Sequence, residues 1–312
     1  MQDSPRYFFN LRGPALLSAQ TWAAILPAYI LFGWNNAVAG PLLDLPSWVQ
    51  TFPDIDTVNT TGHVKEHNAK LQGTVVAIYT LGFFFGACSC IYTGDRLGRI
   101  RTIQLGAMVD ILGIALQASS FSLPQLVVGR FVTGIGFGAL SATAPNWQSE
   151  CSQSSHRGAA VVLESLFISA GLALSAWFNL GMSFTTGSVS WRLPLAMSAL
   201  WALVVLLIVP RFPESPRWLI LKGRVSEATE VLAALEGTDP DSSLIQMSVL
   251  QISESIELSG QGRFADVFKN GELRLFNRTC LACAGQMFQQ LTGINAIAFY
   301  QVRAQPVESH CV

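Results

Sequence analysis

Seven stretches of this 312-residue chain run for about 20 residues almost without charge, long enough to cross a bilayer as helices. They cover 18–43, 71–91, 103–121, 123–142, 159–182, 193–209 and 279–300. In hydrocarbon every backbone N–H and C=O must be satisfied within its own segment, so such stretches form helices rather than isolated strands. Only 12% of the residues are charged, against about 25% in an ordinary soluble domain. With half the residues apolar and a mean hydropathy of +0.40, a soluble fold is disfavoured. The expected class is all-α, a polytopic membrane protein.

The sparse charges carry the topology. Arg6, Arg12, Arg96, Arg99, Arg101, Arg157, Arg211, Arg217 and Lys222 fall on one side of the seven-span arrangement, and Lys65, Lys70 and Arg192 on the other. The positive-inside rule then places the N-terminus in the cytoplasm. The first apolar segment is too long for a signal-peptide core and reads as a retained span. A net charge of −1 provides no field for nucleic acid. Of the six cysteines, Cys88, Cys90, Cys280 and Cys283 lie in expected spans and Cys151 on the cytoplasmic side, so a disulfide framework is not expected. Cys280 and Cys283 match C-x-x-C, but on a membrane helix they read as small packing residues.

The connections divide the chain into a cytoplasmic N-terminus over 1–17, a six-span bundle over 18–210, a linker over 211–277, a seventh span over 278–300 and a tail over 301–312. An outer loop over 44–70 carries the sequon Asn59-Thr60-Thr61, whose Asn59 is the expected glycosylation site. A second sequon at Asn277 falls on the wrong face. Within the linker, helical periodicity marks 225–235 and 244–258 as short amphipathic helices. Ser215-Pro216 has the form of an N-cap followed by proline at the first helical position, predicting another helix over 214–221.

Between the second and third spans stands Gly94-Asp95-Arg96-Leu97-Gly98-Arg99-Ile100-Arg101, a tight turn bearing a charge clamp. In order come Gly129-Arg130 with Gly134, Gly136 and Gly138, then Pro145 to Glu150, Arg157-Gly158, Trp191-Arg192 and Pro213-Glu214-Ser215-Pro216-Arg217. The series closes on Gln289-Gln290-Leu291-Thr292-Gly293-Ile294-Asn295. Together these motifs, from about Phe32 to Tyr300, resemble the sugar-porter subfamily of the major facilitator superfamily, of fungal type. No strand precedes the glycine run, so Gly134, Gly136 and Gly138 are expected to pack helices rather than hold a dinucleotide.

The resemblance implies alternating access and a cytoplasmic gate of Asp95, Arg99, Glu150, Arg157, Glu214 and Arg217. It also implies sugar ligands at Gln289, Gln290 and Asn295. Amides suit polyhydroxylated ligands because each offers donors and an acceptor, and an interhelical polar clamp is the plainer alternative. Arg130 carries a permanent charge inside a span and needs a cavity or a partner. Proton-coupled relatives commonly carry a carboxylate after the span-one Phe-Gly-aromatic pattern, whereas here Phe32-Gly33-Trp34 is followed by Asn35. Asn35 and Arg130 are therefore the expected central pair, and facilitated diffusion is favoured over proton symport. Asp110 and Glu164 keep symport open. Ser165 stands where the family usually has a sugar-binding glutamine, which weakens the case for a hexose. Glu164 beside it reads first as a structural partner for a basic group.

His63-Val64-Lys65-Glu66-His67 matches a zinc-peptidase signature but lies in an outer loop, where a solvated loop is the better reading. No enzyme activity, metal or cofactor is expected; the partners are the bilayer and a small sugar or polyol. The chain is expected to lie in the plasma membrane and to be truncated within its second half. A nontransporting or regulatory half-protein and a sugar sensor are the alternatives.

Overall fold

The computed structural model describes residues 10–152, 157–259 and 274–293. Described elements are helical throughout, and six helices are long and apolar enough to cross a membrane. These spans are Pro14–Leu42, Gly62–Leu97, Arg99–Ala118, Leu123–Cys151, Val162–Ser183 and Val189–Arg211. The first is not uniform: a π-helical turn at Thr21–Ile25 separates Pro14–Gln20 from Leu26–Ala37. The π turn inserts one extra residue into the helical repeat of this span.

Helix ends depart from the apolar boundaries. The second helix begins at Gly62, well before the apolar stretch, because polar residues continue the turn. Lys70 Nζ pairs with Glu66 Oε1 at 2.9 Å on its surface, and Asn68 Nδ2 donates to the Asp56 carbonyl at 2.8 Å. His63 and His67 lie on this exposed extension. The connection before the second span also holds a short helix at Pro46–Thr51, whose Trp48 packs against Phe52 and the sixth span's Trp191.

The second and third spans pack on the fourth, the first on the fifth and sixth, and the third on the sixth. Glycine permits this closeness. A Cβ at Gly134 would lie 2.2 Å from the Tyr79 carbonyl oxygen, and one at Gly136 would lie 2.3 Å from the Asp110 nitrogen. Alternate glycines of the fourth span thus seat it against the second and third, the small-residue packing expected where no hydrophobic force drives helices together in lipid. At the end remote from the linker Arg192 Nη1 and Nη2 donate to the Ala118 and Ser120 carbonyls, both at 2.7 Å, where the third helix ends. A cation there meets the negative end of the helix.

In the linker, helices run over Pro216–Leu221, Val225–Glu236 and Ser243–Ser259. Ser215 caps the first, its Oγ accepting from the Trp218 N–H at 3.2 Å. Ala228, Val231 and Leu235 turn the buried face of the second toward Leu16 and Ile25 of the first span. The helix Leu275–Leu291 follows; the rest of the expected seventh span, including Asn295, lies outside the described residues.

Candidate functional site

Polar residues gather at two levels of the six-helix bundle. The first is a clasp at the end that carries the linker. Gly98 ends the second helix with φ +91°, and a Cβ there would come 2.6 Å from Glu214 Oε2. Only glycine leaves room for that carboxylate to reach the start of the third helix. Glu214 accepts from the N–H groups of Arg99 at 3.0 Å, Ile100 at 3.2 Å and Ser215 at 2.9 Å. An anion at a helix N-terminus is favoured by the unpaired N–H groups and the helix dipole. Burial pushes the Glu214 carboxyl above the ordinary carboxylate range, and the N–H bonds and the charge of Arg99 oppose that rise.

Arg99 turns its side chain the other way. Its Nε and Nη2 hold the two Glu150 oxygens, each at 2.9 Å, and its Nη1 donates to the Gly94 carbonyl at 2.9 Å. A planar guanidinium forked on a carboxylate is strong and directional. Asp95 Oδ1 stands 3.8 Å from Arg99 with its side chain largely exposed. Trp218 Nε1 donates to the Asp95 carbonyl at 3.0 Å, and Trp147 Nε1 to the Pro213 carbonyl at 3.1 Å. Spans two, three and four are thereby tied to the first linker helix.

Of the six expected gate residues, Asp95, Arg99, Glu150 and Glu214 meet in this clasp. Arg217 is exposed and forms no ion pair among the described residues. Arg157 opens the fifth helix, and its side chain lies outside the described part.

The second level lies deep in the bundle. Asn35, Tyr79, Asp110 and Arg130, on the first four spans in turn, are 5%, 3%, 0% and 3% exposed. Tyr79 stands between them, beside Asn35 and within reach of the charges of both Asp110 and Arg130. Among the described residues no short, well-aligned hydrogen bond ties the group together, although Tyr79 and Asn35 stand close enough to interact. Asn35 Nδ2, the Tyr79 hydroxyl, both Asp110 oxygens and Arg130 Nε are buried without a hydrogen-bond partner among the described residues. Beside it, Gln117 Nε2 donates to Thr133 Oγ1 between the third and fourth spans. The expected central pair is thus part of a larger cluster. Tyr79 escaped the sequence reading because a tyrosine in an apolar span looks like any other aromatic.

Gln289 and Gln290 are exposed on the helix Leu275–Leu291 and do not enter either cluster. Glu164 lies on the fifth span near Tyr29 of the first, rather than near Arg130. In the connection before the second span Asn59 is exposed, while its Nδ2 donates to Asp56 Oδ2 at 3.1 Å.

Comparison with known proteins places these features in a family. The model of the sugar (and other) transporter family matches residues 21–303. The major facilitator superfamily transporter mfsA of Aspergillus fumigatus is 37% identical over 298 residues, covering 93% of this chain and 55% of that protein. The sugar transporter STL1 of Saccharomyces cerevisiae is 31% identical over 283 residues, covering 89% and 49%. The chain thus spans about half the length of the curated relatives it matches. Among solved structures, the proton:xylose symporter XylE bound to 6-bromo-6-deoxy-D-glucose superposes with a TM-score of 0.80 at 21% identity, covering 95% of this chain and 64% of that one. That likeness is one of fold. With the family match running over most of its length, the chain belongs to the sugar-transporter family of the major facilitator superfamily and forms the N-terminal six-helix half of that fold with its helical linker.

Proposed function

We propose that the protein moves a sugar or related polyol across the membrane by alternating access, down the substrate's own gradient. The buried cluster carries this reading. Its span-one member, Asn35, has no proton to exchange, yet it sits beside Tyr79 in the same core as the permanent charge of Arg130. The clasp of Asp95, Arg99, Glu150 and Glu214 serves as the gate that closes one face, with Arg157 and Arg217 at its edge. Gln289, Gln290 and Asn295 provide amides from the seventh span to the substrate. The relatives support the substrate class, since STL1 is described as a sugar transporter.

The N-terminus and linker lie in the cytoplasm, the outer loop faces outward with Asn59 as its glycosylation site, and the membrane is the plasma membrane. Asp110 favours a second reading. It shares the cluster with Arg130 through Tyr79, and a carboxyl there gives proton symport a site that Asn35 lacks.

Reconstituted vesicles test both. The chain is inserted alone, and also co-expressed with the second half of a relative, then offered a panel of radiolabelled hexoses, pentoses and polyols. Uptake that equilibrates and is indifferent to a protonophore supports downhill transport. Concentrative uptake that the protonophore collapses supports symport. Failure of either preparation to move or bind any member of the panel overturns the assignment.

A further inference from the structure

The histidines of His63-Val64-Lys65-Glu66-His67 stand on regular helix, where the sequence suggested a solvated loop. The helix Gly62–Leu97 begins one residue before them, well outside the apolar stretch. Residues four apart on a helix lie one above the other, with about 5–6 Å between their Cβ atoms. His63 and His67 are therefore neighbours on one face, and both are exposed. Glu66 and Lys70 share that face and are exposed too. On the opposite side Asn68 turns inward and donates to the Asp56 carbonyl at 2.8 Å, which fixes the histidines toward the outside of the bundle.

This first turn is thinly held. Thr61 stands at the N-cap without a side-chain hydrogen bond to the turn, and Gly62 enters it with φ +61°. Glu66 and Lys70 pair at 2.9 Å along the exposed face, but an ion pair so open to solvent holds little. Two imidazoles one turn apart can grip a single ion through one nitrogen each and so staple the turn. Imidazole suits Zn²⁺, Cu²⁺ and Ni²⁺, whereas Mg²⁺ and Ca²⁺ take oxygen ligands. The positive end of the helix dipole and Lys70 oppose a cation there, and the carboxylate of Glu66 on the same face offsets them. Among the described residues no three histidine, cysteine or carboxylate side chains already stand together as ligands. Catalytic zinc uses three protein ligands and an open position, so the zinc-peptidase signature does not carry its chemistry here. A two-histidine chelate remains, completed by water or by Glu66 once it leaves Lys70.

We infer that His63 and His67 form a surface site for a divalent transition-metal ion, which fastens the first turn of the second span. The site is independent of the transport reading and of the face of the membrane on which it lies.

The test is calorimetric titration of the full chain in lipid nanodiscs with Ni²⁺, Zn²⁺ and Mg²⁺ in a non-chelating buffer. Free cysteines elsewhere in the chain also attract zinc, so each titration is repeated on the His63→Ala/His67→Ala variant and the difference defines the site. One Ni²⁺ or Zn²⁺ per chain is expected in that difference, and no Mg²⁺. Either single substitution should weaken binding at least about tenfold, since losing even an outer-shell partner of a metal ligand costs that much. His156 and His310 lie outside the described residues, and His156→Ala/His310→Ala should bind the metal as the unmodified chain does. With free metal at about ten times the dissociation constant, the first hydrogen-bonded amides of the helix, 66–69, should exchange about tenfold more slowly. The exposed substitutions should leave thermal unfolding without metal unchanged, which separates binding from folding. Equal metal binding by the unmodified chain and the folded double variant overturns the site. Binding that leaves exchange at 66–69 unaltered overturns the staple.

Discussion

The clasp and the central cluster are built from the same kinds of residue and treat them oppositely. At the clasp, Arg99 is forked on Glu150, Glu214 takes three backbone N–H groups, and two tryptophans donate to carbonyls. In the cluster, Asn35, Tyr79, Asp110 and Arg130 are more deeply buried and still hold polar atoms without partners among the described residues. Satisfied polar groups rigidify a structure, whereas unsatisfied ones leave it free to exchange partners. The difference teaches that this half-bundle places its polar stability at one end and keeps its centre open to other partners.

That contrast can be broken by mutation. Glu150→Ala strands the Arg99 guanidinium and should destabilise the chain by about 3 kcal/mol in a denaturant titration in detergent. An unchanged midpoint would mean that the clasp holds nothing together. Glu214→Gln keeps the size of the side chain but removes the charge at the start of the third helix. A smaller loss of about 1–2 kcal/mol is expected from the same titration. Asp110→Asn sharpens the comparison from the other side. With no ion pair or hydrogen bond to lose, it should shift stability by less than about 1 kcal/mol despite complete burial. A loss as large as that of Glu150→Ala would show a firm partner for Asp110 and erase the distinction.

The smallest effect belongs to the loop between the first and second spans. Asp56 accepts from the Val58 and Asn59 N–H groups and from Asn59 Nδ2, and the bonds from Asn59 hold its carboxyl below its usual value of 3.8. A depressed carboxylate contributes stability that is complete above its unfolded pKa and fades as pH falls through the lower folded value. Amide exchange at Val58 and Asn59 should therefore quicken only below about pH 4, while the clasp amides of Arg99 and Ile100 stay protected. Simultaneous loosening of loop and clasp would show that the two ends are coupled.

Much of this architecture was written locally. Six of the seven nearly charge-free runs of bilayer length coincide with membrane-capable helices among the described residues, and Ser215-Pro216 marked a cap and a first turn that both formed. Arg99, Glu150 and Glu214 were expected together, with Asp95, Arg157 and Arg217, only through the resemblance of the motif series to a family; the charges by themselves did not pair them. The start of the second helix at Gly62 was not legible, since it depends on an ion pair and a hydrogen bond to Asp56 that hydropathy does not weigh. Nor did hydropathy show that the exposed Arg217 would stand apart from its neighbours in the motif.

The amino-acid sequence by itself determined that this protein crosses the membrane, where its helices run and which charges stand at their ends. These properties follow from the cost of burying backbone and charge, which each segment meets alone. Only the tertiary structure decided which polar side chains share a core. Tyr79 meets Asn35, Asp110 and Arg130, and Tyr29 meets Glu164, because glycines let particular faces of the first five spans approach one another. Such meetings depend on rotation and depth between helices far apart in the chain, which no local periodicity encodes.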